Sequence, residues 1–242
     1  MKNKMNLGYI LSVILLLSLA LSAGCSSQPA ASTSGDNSVY ERPDTVTSAD
    51  EAKQLLIDGN KRYTEGALAN LDLGDTRRQE LLEGQKPFAT IISCSDSRVP
   101  PELLFDQGLG DIFTIRNAGN IIDSVTMGSV EYAVEHLQTP LLVVLGHEKC
   151  GAVTATVEGG EAPGSIGAIV QKIAPSVEKA KAAGASEEDL INNSIDENIK
   201  ATIAELEKSP IVEHALENGK LTVVGAKYLL KSGEVEWFED AE

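Results

Sequence analysis

Two short aliphatic runs, each ending on a side chain that can bind a metal, constrain the fold more than any other feature. FATIISC (88–94) ends on Cys94, and PLLVVLGH (140–147) ends on His147. Runs that are apolar at nearly every position predict strands buried on both faces, as in parallel sheets. Because residues 124–137 before the second run carry apolar side chains at helical spacing, the alternation of helix and strand predicts a βαβ unit.

The remaining segments extend this pattern on both sides. Ser48 has the features of a helix N-cap, with acidic residues after it, and a helix is expected to about Tyr63. The other expected elements are a helix from about Asp75 to Gly84, a strand in DIFTIRN (111–117), helices in 151–159 and within 165–217, and strands in KLTVVGAKYLL (220–230) and EVEWF (234–238). The predicted fold class is α/β: a single domain with a mostly parallel central β-sheet flanked by helices, plus an N-terminal helical arm. Such sheets bind ligands at the C-terminal ends of their strands.

The N-terminus has the parts of a secretory signal. Lys2 and Lys4 precede the uncharged run LGYILSVILLLSLALSAG, which is 18 residues long and is followed directly by Cys25. That length lies at the lower limit for a membrane span, so a permanent transmembrane anchor is an alternative. LSAGC resembles the bacterial lipobox, which implies cleavage before Cys25 and a lipid on its thiol. We therefore predict a signal peptide at 1–24 and an extracytoplasmic protein that is lipid-anchored to the bacterial cell membrane.

Composition separates the N-terminal segment from the domain and excludes one class of partner. Residues 25–47 are rich in Ser, Thr, Ala and Pro and have no apolar period, which predicts a flexible tether ahead of a domain at 48–242. The formal net charge of −16 repels phosphate backbones, and no basic run is longer than a pair such as Arg77 and Arg78. Nucleic acid is therefore not an expected partner.

Cys94, His147 and Cys150 form the most informative constellation, because the chain has only three cysteines and three histidines. Two thiolates and one imidazole are a known donor set for catalytic zinc, with a fourth position left for water. The short spacing in HEKC (147–150) allows one chain reversal at a strand end to direct both side chains at one ion. A structural histidine beside a buried cysteine, or a Cys94–Cys150 disulfide in an extracytoplasmic protein, are the alternatives.

The pentapeptide CSDSR (94–98) favours the metal site. Asp96 and Arg98 lie two and four residues beyond Cys94, so a carboxylate and a guanidinium can face the same ion. A cysteine phosphatase loop would need its arginine six residues after the nucleophile, and the chain has no CxxC for dithiol exchange. The sequence therefore predicts a metal, a hydrogen-bond acceptor and the cation that orients the acceptor.

CSDSRVPPELLFDQGLGDIFTIRNAGN (94–120), followed by GHEKCGAV (146–153), resembles the β-class carbonic anhydrases over roughly residues 50 to 240. The resemblance implies that Cys94, His147 and Cys150 hold Zn²⁺ and that Asp96 and Arg98 are the catalytic dyad. It also implies reversible hydration of CO2 to bicarbonate and a proton, by attack of zinc-bound hydroxide on CO2. On the same scaffold, a carbon disulfide or carbonyl sulfide hydrolase and a non-catalytic zinc-binding lipoprotein are the alternatives.

The same resemblance implies a substrate pocket. Its residues would be Gln85, Phe113 and Tyr132, with Ala118 as a small apolar residue; packing alone is the alternative for Phe113 and Tyr132. Asp96 would be a zinc ligand only in a closed form, and the open form is expected near neutral pH because the pocket resembles that of the non-allosteric members. The partners implied are CO2 and bicarbonate, and a second copy in a homodimer or a tetramer of dimers, with the N-terminal helix on its neighbour.

Overall fold

A five-stranded sheet is the centre of the part of the chain that this computed structural model describes, residues 38–43 and 45–238. In chain order the strands are β1 (Ala89–Cys94), β2 (Ile112–Asn117), β3 (Leu141–His147), β4 (Thr222–Tyr228) and β5 (Val235–Trp237). They lie in the order β2-β1-β3-β4-β5, with β1 to β4 parallel and β5 antiparallel to β4. The predicted α/β class with a mostly parallel sheet is confirmed.

Helices connect the strands and cover both faces of the sheet. They are α1 (Ala49–Glu65), α2 (Asp75–Glu80) with a 3-10 turn (Leu81–Glu83), α3 (Pro101–Leu104), α4 (Ser124–Tyr132) with a π-helical turn (Ala133–Leu137), α5 (Gly151–Glu158), α6 (Ile166–Ala182), α7 (Leu190–Leu206) and α8 (Pro210–Glu217). The helix expected over 124–137 changes to a π turn at Ala133. The expected apolar stripe of α7 lies in the core, with Ile195, Ile199 and Leu206 buried and Ile203 partly so.

The N-terminal helix α1 forms for local reasons and packs on the chain's own sheet. Ser48 Oγ accepts a hydrogen bond from the Glu51 amide at 3.1 Å, which caps the helix as its sequence predicts. Gly66 follows the last residue in the left-handed conformation, with φ of 66°. Ala52 and Leu56 are fully buried in the cluster that covers one face of the sheet.

The chain between 38 and 43 lies against the domain. The amide of Tyr40 donates to the carbonyl of Asn70 at 2.9 Å, and Arg42 Nε donates to Asp111 Oδ1 at 2.6 Å. The guanidinium of Arg62 lies 4.8 Å from the centre of the Tyr40 ring. These contacts hold the C-terminal part of the predicted tether close to α1 and to the loop before β2.

The predicted signal peptide, Cys25 and the first part of the tether lie outside the described residues. Among the residues that are described, no helix is both long and apolar enough to cross a membrane.

Candidate metal centre

Three side chains that can bind a metal meet at the C-terminal edge of the sheet. Cys94 is the last residue of β1, His147 is the last residue of β3, and Cys150 is the N-cap of α5. β1 and β3 are neighbouring parallel strands, which brings their C-terminal ends together. One ligand atom from each residue lies within 4.8 Å of the other two, and all three residues are buried. The structure thus brings together the three residues that the sequence singles out.

The ring of His147 is oriented for metal binding. Its Nδ1 lies 2.8 Å from the carbonyl oxygen of Glu148, and because a carbonyl only accepts, Nδ1 carries the proton and Nε2 keeps its lone pair. Nε2 is buried and has no hydrogen-bond partner among the described residues. A buried nitrogen without a partner is costly, and a metal ion would remove that cost.

The two sulfurs are close but not bonded. Cys94 Sγ and Cys150 Sγ are 4.0 Å apart and both cysteines are free, whereas a disulfide bond is about 2 Å long. The hydrogen bond from the Cys150 thiol lowers the pKa of Cys94 to about 4, and the same sulfur neighbour raises the pKa of Cys150. Zinc binding requires both cysteines as thiolates, and a divalent cation would favour the deprotonated form of each.

Asp96 lies beside this group and is fixed by Arg98. Arg98 Nε donates to Asp96 Oδ1 at 2.9 Å and Nη2 donates to Oδ2 at 2.7 Å. This bidentate pair holds the pKa of the Asp96 carboxyl well below its usual range. Asp96 Oδ2 is also 3.9 Å from Nε2 of His147. An ionised acceptor is thus held next to the ligand atoms, with both of its oxygens bound to Arg98.

Two residues at or just after the C-terminal end of β2, Arg116 and Gly119, also contact Cys94, and neither has a role predicted from the sequence. The amide of Gly119 donates to Cys94 Sγ at 3.4 Å. Arg116 donates from Nε to the carbonyl of Cys94 at 3.0 Å and from Nη2 to the carbonyl of Asp96 at 2.7 Å. The signal was available, because residues at the C-terminal end of a neighbouring parallel strand reach the same edge of the sheet.

Of the four predicted pocket residues, the structure places Ala118 next to the metal-binding group. Ala118 lies between Asn117, which ends β2 opposite Cys94, and Gly119, whose amide contacts the Cys94 sulfur. The sequence signal for this position was the resemblance alone, and its location follows from the register of β1 with β2.

The other three pocket residues lie away from the cysteines of their own chain. Phe113 is opposite Thr90, four positions before the end of the strand and about 13 Å away at about 3.3 Å per residue. Its ring packs on Tyr132, with the centroids 6.2 Å apart. Gln85 precedes the N-terminal end of β1 and lines a cleft of about 1240 Å³ together with Arg42. One chain therefore does not assemble the complete predicted pocket.

Comparison with known proteins gives a family match over most of the domain. The family described as "Carbonic anhydrase" matches residues 89–235. A carbonic anhydrase of Mycolicibacterium smegmatis is 42% identical over 190 residues, which are 76% of this chain and 91% of that protein.

Solved structures are similar in the same region. A tetrameric β-carbonic anhydrase of Sordaria macrospora aligns with a TM-score of 0.63 and 27% identity, over 66% of this chain and 85% of that one. A Coccomyxa β-carbonic anhydrase in complex with acetazolamide aligns with a TM-score of 0.61 and 29% identity, over 76% of this chain and 84% of that one.

Proposed function

The chain belongs to the β-class carbonic anhydrase family, and on that premise we propose that it hydrates CO2 reversibly to bicarbonate and a proton, using Zn²⁺ held by Cys94, His147 and Cys150. The observation that carries the proposal is the buried cluster in which two sulfurs and one nitrogen lie within 4.8 Å of one another. The donor set fits zinc, because thiolates and imidazole are its preferred ligands. When bound, the ion supplies Lewis acidity that makes a water molecule acidic near neutral pH.

The chain's own residues would orient the attacking water and bind the substrate. Asp96 accepts the hydrogen bond of the attacking water and so directs its lone pair at the carbon of CO2. Arg98 keeps Asp96 ionised and keeps both carboxylate oxygens occupied, which favours the open form over a closed form with Asp96 as a ligand. Ala118, between Asn117 and Gly119, would supply a small apolar side chain near Cys94, which suits a neutral, apolar substrate.

We propose that a second copy of the chain completes the pocket. Gln85, Phe113 and Tyr132 lie away from the metal-binding residues of their own chain, so they can line a CO2 site only across an interface. Exposed apolar side chains near the edge strand β2 support such an interface: Tyr132 is 47% exposed, Leu103 is 64% and Val125 is 77%. The proposed unit is a homodimer, which can pair further into a tetramer.

We also propose that the mature protein is held at the outer face of the bacterial cell membrane by a lipid on Cys25. The support is the sequence of the first 25 residues alone. Growth with a clickable fatty acid should label the wild type and not the Cys25→Ser variant, and that variant should leave the membrane fraction. Equal labelling of both proteins would contradict the anchor.

The function is tested by stopped-flow CO2 hydration on the purified chain, with zinc measured on the same sample. We expect one zinc per chain and hydration that disappears with Asp96→Asn while the zinc remains. Assays with carbon disulfide and carbonyl sulfide distinguish a hydrolase on the same scaffold. A zinc-loaded wild type that turns over none of the three substrates would leave a zinc-binding lipoprotein as the better description.

A further inference from the structure

Helix α7 contacts the loop that follows β2, next to the candidate metal centre. Asn198 is 3% exposed, and its Nδ2 donates to the carbonyl of Gly119 at 2.8 Å. One turn later, Thr202 Oγ1 donates to the carbonyl of Asn120 at 3.1 Å. Two side chains of one helix face thus hold two successive carbonyls of this loop.

Gly119 connects that helix to a predicted zinc ligand. Its amide donates to Cys94 Sγ at 3.4 Å, while its carbonyl is bound by Asn198. Its φ of +78° lies in the left-handed region, and a Cβ there would come within 2.7 Å of Ile173 Cδ1. The backbone at Gly119 is therefore confined on three sides, by a sulfur, an amide side chain and a core side chain.

Helix α7 also supports the strand that carries the histidine ligand. Ile199, the residue after Asn198, is fully buried, and its Cδ1 would lie 2.6 Å from a Cβ added to Gly146. Gly146 precedes His147, so consecutive residues of one helix contact the backbone beside two different ligands. A shift of α7 would therefore disturb both of these contacts.

We propose that Asn198 is a positioning residue for the metal centre: it fixes the Gly119 peptide so that the amide stays directed at the Cys94 sulfur. A hydrogen bond to a ligating sulfur draws electron density away from it and fixes its direction, and such outer contacts affect metal affinity as well as activity. The inference rests on the proposed function, since it takes Cys94 to be a zinc ligand. Asn198 is not one of the three candidate ligand residues, and in this proposal it acts only through Gly119.

The test compares Asn198→Ala with Thr202→Val. Each removes one donor from α7 to the same loop, but only Asn198 binds the residue whose amide contacts the sulfur. We expect Asn198→Ala to weaken zinc binding about 10-fold to 100-fold, measured by competition with a chromophoric chelator. Thr202→Val should stay within about threefold of the wild type, although both variants lose stability in urea through one missing buried hydrogen bond.

Hydrogen exchange gives a second readout, independent of catalysis. In zinc-loaded protein labelled with ¹⁵N-glycine, the Gly119 amide should exchange slowly in the wild type and in Thr202→Val, and at least about tenfold faster in Asn198→Ala. Asn198→Ser, which keeps a shorter donor, should give intermediate values and replaces Asn198→Ala if that variant does not fold.

Equal zinc affinity and equal Gly119 protection in the Asn198 and Thr202 variants would overturn the inference, as would rapid Gly119 exchange in the zinc-loaded wild type. A wild type that binds zinc but does not hydrate CO2 would overturn the proposed function, and the role of Asn198 would still be decided by affinity and exchange.

Discussion

Strands β2 and β3 are parallel strands of one sheet, but among the described residues only β3 has a neighbouring strand on both sides. Every residue of β3 is buried, whereas β2 has one buried residue, Ile112, and Arg116 is exposed. β3 lies between β1 and β4, while β2 pairs with β1 on one side and forms the edge of the described sheet. An edge strand leaves backbone groups available to a further strand or another chain. The buried strands β1 and β3 carry Cys94 and His147 of the candidate metal centre, whereas the partly exposed edge strand β2 offers a surface for the proposed interface.

The largest effect is expected from removing one of the two cysteines of the candidate metal centre. Cys94→Ser or Cys150→Ser should abolish tight zinc binding, because a serine hydroxyl does not replace a thiolate for this ion. The third cysteine provides a matched control: Cys25→Ser makes the same chemical change outside the domain and should keep full zinc. Metal analysis of the three variants decides, and full zinc in either of the first two would contradict the ligand set.

Truncating one side chain in each strand compares how much β3 and β2 contribute to the stability of the single chain. Leu142 and Phe113 lie at the same level of the sheet, since both are in register with Thr90. Leu142→Ala should lower the free energy of unfolding by about 2–5 kcal/mol, because Leu142 is fully buried. Phe113→Ala should cost the isolated chain less and should instead weaken self-association. Urea unfolding measures the stability loss, and sedimentation velocity measures self-association. An equal stability loss in both variants would mean that Phe113 contributes as much to the fold of the single chain as Leu142 does.

A charge near the edge strand should affect assembly more than folding. Val125 on α4 is 77% exposed, so Val125→Asp should change the stability of the single chain by less than about 0.5 kcal/mol. In the proposed dimer it should raise the dissociation constant at least about 100-fold, roughly 2.7 kcal/mol. Ile166→Asp, at a 52% exposed position on α6, is the control. Similar dissociation constants for the two variants would place the interface elsewhere.

The smallest difference in stability is expected between two Thr→Val variants, one on β1 and one on β2. Thr90 on β1 is fully buried, and its hydroxyl is 2.8 Å from that of Thr139, so Thr90→Val leaves a buried hydroxyl unpaired and should cost about 1–3 kcal/mol. Thr114 on β2 donates to Glu102 at 2.7 Å at the surface, and its replacement should cost less than about 0.5 kcal/mol. Thermal unfolding of both variants measures the contrast, and a reversed order would contradict it.

Most of the elements could be predicted because their signals are local. The N-cap at Ser48 lies where the sequence places it, and α1 ends two residues beyond the predicted Tyr63. The aliphatic runs became β1 and β3 within one residue of their expected starts, since continuous apolar runs of that length fit buried strands. The π turn at Ala133–Leu137 was not predicted, because helical spacing of apolar residues does not distinguish an α-helix from a wider turn.

The sequence by itself determined the ligand types and the strands that carry them: scarce cysteines and histidines at the ends of apolar runs, and a carboxylate and a guanidinium beside one of them. The tertiary structure alone decided which residues support that group and which do not reach it. Asn198 is one of three buried polar residues of α7, with Ser194 and Thr202, and nothing in its sequence neighbours indicates a contact with Gly119. Phe113 and Tyr132 are assigned to a pocket by resemblance, yet strand register places Phe113 away from Cys94, and the ring of Tyr132 packs on that of Phe113. Spacing along a chain fixes local geometry, whereas contacts between distant segments depend on how whole elements pack.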